Sequence, residues 1–316
     1  MLRFEFEKPI VEVEEKIQKL ESISIDPEQK KNELSKLQKE LVDLKKRIYS
    51  NLTGWQKVQI SRHPQRPYTY DYLSHVFNSF LEIHGDRKAG DDNALIGGFA
   101  KINENPVMVI GHQKGRSLKE NQYRNFGMAS PEGYRKAYRL MKLAEKYNKA
   151  IITFIDTPGA LPSIEAEARG IGEAIASNIQ LMLRLKVPVI SIIIGEGAAA
   201  GALGIAVCDS LLMLDYTWLA VISPENCSSI LWHDYNHIEQ AAEQMKLTPE
   251  NLCKAKIIDG IIREPAGGAH HDPISAFNAV KKAIEKHLAD LWALDADERI
   301  NKREEKFNNL GRFLNK

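Results

Sequence analysis

The sequence predicts an α/β fold in which strands and helices alternate. Segments 94–100, 106–111, 151–155, 189–194 and 210–214 are short apolar runs of the kind that form buried strands. Helical stretches at 131–147 and 166–185 separate them, which favours crossover connections between parallel strands. With 43% hydrophobic and 27% charged residues among 316, the chain has the composition of a globular protein.

The N-terminal segment predicts a helical extension, which we place at residues 1–61. Asp26 and Pro27 form a helix start signal, with a capping acid followed by proline at the first helical position. An apolar seam follows at alternating steps of three and four: Leu34, Leu37, Leu41, Leu44 and Ile48. The seam is too short to require a coiled coil between chains, so packing within its own domain remains equally open.

A junction rich in proline, residues 62–68, ends the extension and opens the main domain, 62–316. Helical spacing resumes over 70–83, and the first two strands are close enough in sequence for a hairpin. Near the C-terminus, 257–262 is a strand candidate, while 274–291 and 297–310 are amphipathic helices. His270 and His271 lack the spacing of a helical metal site, so we expect them to face solvent.

Charge and cysteine content exclude several classes of function. The 43 Lys and Arg residues against 42 Asp and Glu leave a net charge of +1, which gives no global attraction to nucleic acid or to a membrane. Three cysteines without a C-x-x-C pair argue against a disulfide framework and against a structural metal site. The N-terminus has no apolar signal region and no run is long enough to span a membrane, so we expect a cytoplasmic protein.

The turn after 189–194 is the first candidate site. Gly195, Gly197 and Gly201 flank three alanines, so the main chain is open to close approach where a helix begins. Free N–H groups at such a helix start can hold an oxyanion without any side chain. Tight packing of the helix on the sheet explains the same small residues, and the turn alone does not decide between the two.

A second turn follows the strand at 151–155 and reads Asp-Thr-Pro-Gly-Ala-Leu over residues 156–161. Turns at the carboxyl ends of neighbouring parallel strands face one crevice, where ligands bind in open α/β sheets. Asp156 could act as an acid or a base, but beside Pro158 and Gly159 we favour an Asx-turn that caps its own backbone.

A basic loop follows the strand at 106–111. Lys114 and Arg116 are candidate donors to a phosphate or carboxylate of a substrate. A solvated charged loop accounts for them equally well.

Several motifs together resemble the α subunits of bacterial multi-subunit acetyl-coenzyme A carboxylase carboxyltransferases, and the match runs over most of the chain. They are Arg-His-Pro-Gln-Arg-Pro-Tyr-Thr at 62–69, Gly-His-Gln-Lys-Gly-Arg at 111–116, Arg-Asn-Phe-Gly-Met at 124–128, Pro-Glu-Gly-Tyr-Arg-Lys at 131–136, Ile-Ile-Thr-Phe-Ile-Asp-Thr-Pro-Gly-Ala at 151–160, Gly-Glu-Gly at 195–197, Ser-Pro-Glu at 223–225, Ser-Ile-Leu-Trp at 229–232 and Gly-Gly-Ala-His at 267–270.

The resemblance implies a crotonase-like spiral of ββα units behind the N-terminal helical extension. It implies a zinc-ribbon-bearing β subunit as partner in an α2β2 assembly, with no metal in this chain. The implied reaction moves a carboxyl group from carboxybiotin, carried on a biotin carboxyl carrier protein, to acetyl-CoA, giving malonyl-CoA for fatty acid synthesis. A diverged, non-catalytic subunit that scaffolds the β subunit is the alternative.

The resemblance also assigns site residues by position. The N–H groups of Ala200 and Gly201 would hold the oxyanion, and the biotin side would be lined by Gly197 and by Thr157, Pro158, Gly159, Ala160 and Leu161. The chain departs from the family where Ala198, Ala199 and Ala200 replace glycine and serine, and also at Leu161, Ser163 and Asn226. An alanine keeps its N–H but is strained wherever φ is positive.

Other chemistries on a related fold fit less well. A serine peptidase needs a nucleophile in the turn at 197–201, which contains neither Ser nor Cys. Hydration of an enoyl-CoA needs paired carboxylates, for which only Glu165 and Glu196 are candidates.

Overall fold

The computed structural model describes residues 3–23 and 26–311, which form two compact units that divide between Thr53 and Gly54. The first unit contains α1 (Lys8–Ser22) and α2 (Pro27–Tyr49), which pack on each other. Asp26 caps α2 as predicted, since its carboxylate accepts hydrogen bonds from the N–H groups of Glu28 and Gln29. Leu44 of the seam is buried, and Leu34, Leu37, Leu41 and Ile48 are half-buried.

The second unit is built on one mixed sheet of eight strands, in the order β1-β2-β3-β4-β5-β6-β8, with β7 paired to β5. The first three strands are antiparallel and the remaining pairs are parallel. The strands are β1 (Ser79–Glu82), β2 (Leu95–Ile102), β3 (Asn105–His112), β4 (Ile151–Thr157), β5 (Val189–Ala198), β6 (Ser210–Leu214), β7 (Trp218–Ala220) and β8 (Gly260–Ile262).

Helices cover both faces of this sheet and give it two apolar cores. One core contains side chains of α6 and α8, and the other contains side chains of α4 and α13. The helices of this unit are α3 (Gly54–Ser61), α4 (Thr69–Val76), α5 (Leu118–Tyr123), α6 (Pro131–Lys146), α7 (Ile164–Ala168), α8 (Ile171–Arg184), α9 (Ala199–Leu203), α10 (Pro224–Trp232), α11 (Ile238–Met245), α12 (Pro249–Lys254), α13 (Pro273–Trp292) and α14 (Ala296–Asn308). Because the buried strands are covered on both sides, they lack apolar alternation, as the sequence indicated.

Most predicted elements are confirmed. The five apolar runs are β2 to β6, and β2 and β3 form the predicted hairpin with Ile102 opposite Asn105. The long helices at 131–147 and 274–291 are α6 and α13. Helix α3 contacts β5, β7 and α11, all of them in the second unit.

Three expectations were wrong. The helix predicted over 70–83 ends at Val76, because Phe77 is extended and Ser79–Glu82 pairs with β2. The helix predicted over 166–185 is divided by Gly170, whose φ is +77°. His270 does not face solvent: it is buried and stacks on His63 with ring centroids 3.9 Å apart.

Candidate functional site

Two turns meet at the carboxyl ends of β4 and β5. We call residues 157–161 the β4 turn and residues 197–201 the β5 turn. Thr157 lies opposite Gly197 in the sheet. A Cβ on Gly201 would come within 2.4 Å of the Ala160 nitrogen, so the two backbones touch at a point that only glycine permits. The structure therefore brings together the two turns that the sequence singled out.

The β5 turn leads directly into the short helix α9. Ala198 has φ −103°, whereas Ala199 has φ +55°. Ala200 and Gly201 follow in the first turn of α9, where N–H groups have no intrahelical acceptor. Within the described residues, no hydrogen bond outside helices and strands involves these two N–H groups. Ala200 is exposed, so this end of the helix is open to a ligand.

Buried polar side chains of α6, α8, β4 and β5 hold the backbone of α9 and of the two residues that follow it. The Tyr134 hydroxyl donates to the carbonyl oxygen of Gly201 at 3.0 Å. Asn178 donates from Nδ2 to the carbonyl oxygen of Gly204 at 3.1 Å. Thr153 and Ser191 donate to the carbonyl oxygen of Ile205 at 2.8 and 3.2 Å. The sequence did not predict that these side chains bond the backbone here, although Thr153 and Ser191 stand out as polar residues inside apolar strands.

The β4 turn is shaped by Thr157 rather than by Asp156. The Thr157 hydroxyl accepts a hydrogen bond from the N–H of Gly159 at 3.1 Å and lies 2.6 Å from its carbonyl oxygen. The N–H of Leu161 donates to Ala129. The Asx-turn favoured for Asp156 is wrong, because its carboxylate accepts hydrogen bonds from Lys114 and from the N–H of Glu196 on the next strand.

A cluster of charged side chains lies beneath both turns. Lys114 Nζ is 2.7 Å from Asp156 Oδ1 and 2.8 Å from Glu196 Oε1. Burial opposes the charge on Lys114, but the two carboxylates outweigh it and raise the lysine pKa above its usual range. Burial likewise opposes the charge on Glu196, and Lys114 and Arg62 lower the pKa of that carboxyl. Lys114 and Glu196 are therefore both charged at neutral pH.

The junction contributes two arginines to this edge of the sheet, a role that its sequence did not indicate. Arg62 pairs with Glu196 at 2.6 Å and with Glu225 of α10. Its guanidinium lies 5.8 Å from the centroid of the Trp218 ring. Arg66 is fully buried, donates to the carbonyl oxygen of Ile194 at 2.6 Å and pairs with Glu264.

Lys114 and Arg116, the predicted substrate donors, have different surroundings. The Lys114 side chain is 12% exposed and paired with two carboxylates. The Arg116 side chain is 42% exposed, pairs with Asp71 at 2.5 Å and lies over the Tyr68 ring. Arg116 also donates to the carbonyl oxygens of Pro64 and Arg66. Arg116 is the more accessible of the two.

The carboxylates considered for hydration of an enoyl-CoA differ widely in environment. Glu196 is buried and paired with Lys114 and Arg62, whereas Glu165 is exposed on α7. A pair that shares protons over one pocket needs two accessible groups close together, which these environments do not provide.

No cluster of three His, Cys, Asp or Glu side chains suited to a metal ion occurs within residues 3–23 and 26–311. In the same part of the chain, no helix is both long enough and apolar enough to cross a bilayer.

The chain matches known proteins over nearly its whole length. The family described as acetyl co-enzyme A carboxylase carboxyltransferase-like matches residues 3–311. The acetyl-coenzyme A carboxylase carboxyl transferase subunit alpha of Geobacter metallireducens is 51% identical over 98% of this chain and 98% of its own length. The corresponding protein of Flavobacterium johnsoniae is also 51% identical, with the same coverage of both chains.

Solved structures of low sequence identity share the fold. The Pseudomonas malonate decarboxylase hetero-dimer has a TM-score of 0.59 at 15% identity, covering 75% of this chain and 95% of that one. The beta subunit of P. aeruginosa geranyl-CoA carboxylase has a TM-score of 0.56 at 16% identity, covering 78% of this chain and 46% of that one. The crotonase-like fold expected from the sequence motifs is confirmed.

Proposed function

Since the chain belongs to the family of acetyl-coenzyme A carboxylase carboxyltransferase α subunits, we propose that it transfers a carboxyl group from carboxybiotin to acetyl-CoA, giving malonyl-CoA. The observation that carries the proposal is the 51% identity to a protein of that name over 98% of both chains. The matched range, residues 3–311, thus spans both turns, the charged cluster and the N-terminal unit.

Within this activity, we assign the N–H groups of Ala200 and Gly201 to the oxyanion site. They begin a helix, one of them lies at the surface, and small side chains surround them, so a planar ureido group has room to approach. Bound carboxybiotin supplies the carboxyl group and, after its release, the base for the acetyl methyl. The chain itself provides donors fixed before the reaction, which stabilise developing negative charge.

The β4 turn and Gly197 form the biotin side of this site. Pro158 is exposed and Ala160 and Leu161 are half-buried, so their apolar side chains suit the flat apolar face of a bicyclic ring. Thr157, Gly159 and Gly197 are buried and support this surface through their backbone. Arg116, which is 42% exposed beside the site, is our candidate donor to the anionic groups of acetyl-CoA. Lys114 is the less accessible candidate, with 12% exposure.

We further propose that the chain works with a carboxyltransferase β subunit and a separate biotin carrier protein. Val221, Ile230 and Leu231, which lie just before or within α10, expose 85%, 63% and 62% of their surface. Apolar side chains this exposed and this close in sequence suit a protein interface. The α2β2 stoichiometry and the zinc ribbon of the β subunit are part of this proposal.

The test of the activity is reconstitution. We expect the chain, mixed with its cognate β subunit, to decarboxylate malonyl-CoA in the presence of a biotin analogue, while neither subunit does so alone. Complex formation without turnover would establish the scaffolding alternative instead.

The oxyanion assignment has a separate test, because replacing Ala200 by lactic acid removes its N–H and leaves its side chain. We expect kcat to fall by ~10²–10³, as for other oxyanion donors. The same replacement at Ala296, which begins α14, is the matched control and should leave kcat unchanged. An equal effect at both alanines, or none at Ala200, would contradict the assignment.

A further inference from the structure

We propose that Lys114 is a positioning residue that fixes the β4 turn and the β5 turn relative to each other, by pairing with the two carboxylates that directly precede them. The inference deepens the proposed carboxyl transfer and rests on it. It gives Lys114 a role in geometry in place of direct binding of substrate.

The position of the two carboxylates carries the argument. Asp156 is the residue before the β4 turn, and Glu196 is the residue before the β5 turn. A single ammonium group bonds both, at 2.7 and 2.8 Å. Asp156 Oδ1 also accepts from the N–H of Glu196 at 2.9 Å. The side chain of Asp156, before the β4 turn, is therefore bonded to the backbone of Glu196, before the β5 turn.

Close packing restricts the movement of the Lys114 and Asp156 side chains. A Cβ on Gly127 would lie 2.9 Å from Lys114 Cγ, and a Cβ on Gly195 would lie 2.3 Å from Asp156 Oδ1. The side chains of Asp156 and Glu196 are only 3% and 6% exposed. An ammonium group that is 12% exposed and already bonded to two carboxylates is poorly placed to bind an incoming anion.

The charges of the cluster require the lysine. Lys114 and Arg62 supply two positive charges against three negative charges, on Asp156, Glu196 and Glu225. Without Lys114, two carboxylates at the bases of the turns would repel each other in a buried setting. Other titratable or charged groups that interact with Asp156 or Lys114 are Arg66, Tyr68, Tyr72 and His112.

Small displacements of the turns matter for rate. The proposed oxyanion donors lie in the β5 turn and the biotin-lining residues in the β4 turn. A misplacement of about 1 Å between groups that must act together can cost 10²-fold in rate. Lys114 is thus expected to act on kcat through the spacing of the turns.

The experiment uses the reconstituted complex with its β subunit and measures decarboxylation of malonyl-CoA with a biotin analogue. We expect Lys114→Met to lower kcat by about 10²-fold, with the KM for malonyl-CoA changed less than twofold. Lys114→Arg keeps the charge and should recover at least tenfold of this loss. Lys142→Met is the matched control, because Lys142 forms an exposed pair with Glu145 outside the site.

The pH profile gives a signature that a general loss of stability does not. In the native chain Lys114 and Arg62 hold the pKa of Glu196 below its usual range. The Lys114→Met variant loses one of these cations, so Glu196 takes up a proton at higher pH than before. Protonation removes the repulsion from Asp156. We therefore expect kcat of the variant, relative to the native chain, to rise as pH falls.

A double variant keeps the proposal testable if Lys114→Met fails to fold. Lys114→Met with Glu196→Gln removes one charge of each sign and should fold, with kcat within about tenfold of the native chain. Recovery of folding without recovery of kcat would overturn the proposal. A tenfold rise in KM with unchanged kcat would do so too, since it indicates direct substrate binding. If the native complex itself shows no turnover, the proposed function fails. If the native complex turns over and Lys114→Met lowers only the stability of the protein, the positioning role is overturned.

Discussion

Ala199 holds a backbone conformation that its side chain disfavours. With φ +55° it lies in the left-handed region, which costs an L-residue other than glycine about 1–2 kcal/mol. Ala198 has φ −103°, and Ala200 is not among the residues with positive φ. Of the three alanines that depart from the family pattern, only Ala199 is therefore strained.

Replacing this alanine should stabilise the protein. We expect Ala199→Gly to raise the free energy of unfolding by about 1 kcal/mol, because glycine adopts positive φ without a steric penalty. Urea denaturation monitored by circular dichroism measures the change. Ala200→Gly is the matched control: as a helical position with negative φ, it should lose about 0.5–1 kcal/mol instead. Equal changes of the same sign would show that strain at Ala199 is not the cause.

At the residue scale, the sequence predicted which residues matter better than it predicted their partners. Lys114 was recognised as a candidate donor, but its carboxylate partners are 42 and 82 residues away. Ion pairing across strand ends depends on sheet order, which the sequence leaves open. A charged residue between two glycines at the end of a buried strand, as in Glu196, is the signal that could have indicated a buried ion pair.

The β4 and β5 turns depend on each other because their backbones are in contact. Gly201 packs on Gly159 and Ala160, and Tyr134 holds the carbonyl oxygen of Gly201 from below. A side chain at Gly201 would have to push backbone atoms apart, since the atoms it meets belong to the main chain and not to a flexible side chain.

Gly201→Ala is accordingly expected to separate the turns. We predict a loss of kcat of at least ~10², the cost of misplacing catalytic groups by about 1 Å. Gly172→Ala is the control, because Gly172 lies in α8 with no atom within 4 Å of an added Cβ. That change should leave kcat unchanged and stabilise the protein by up to ~1 kcal/mol. Native kcat in Gly201→Ala would refute the dependence of one turn on the other.

Element prediction succeeded where apolar runs were long and failed at element ends. The buried strands β4 to β6 were found from their unbroken apolar runs. Strand β1 was missed because Tyr72, Val76 and Phe80 continue the helical spacing into it. Strand β1 lies half-buried at the edge of the sheet and pairs only with β2, so its four residues carry only a weak strand pattern in the sequence.

At the scale of the whole molecule, the boundary between the two compact units predicts which part of the chain can be expressed and folded by itself. The structure divides the chain after Thr53, whereas the sequence placed the boundary after Ser61, at the proline-rich junction. The difference is helix α3, whose Val58 and Ile60 are fully buried and whose Lys57 pairs with Glu250 of α12 at 2.5 Å. A helix of eight residues with mixed apolar and polar side chains gave no sign in sequence of which unit it joins.

Two shortened chains distinguish these boundaries. We expect residues 54–316 to unfold in one cooperative thermal transition. Residues 62–316 should unfold more than about 5 °C lower, because two fully buried side chains at ~1.5–3 kcal/mol each are lost. Differential scanning calorimetry measures both. Equal transition temperatures would favour the boundary after Ser61.

The buried pair of Arg66 and Glu264 also bears on how the protein is made. The two residues are 198 positions apart, yet both side chains are fully buried. At a synthesis rate of ~5–20 residues per second, roughly 10–40 s pass between translation of the arginine and translation of its partner. Throughout that interval the edge of the sheet that bears the two turns cannot close. A nascent chain therefore carries an unfinished site, which forms only when nearly all of the protein has left the ribosome.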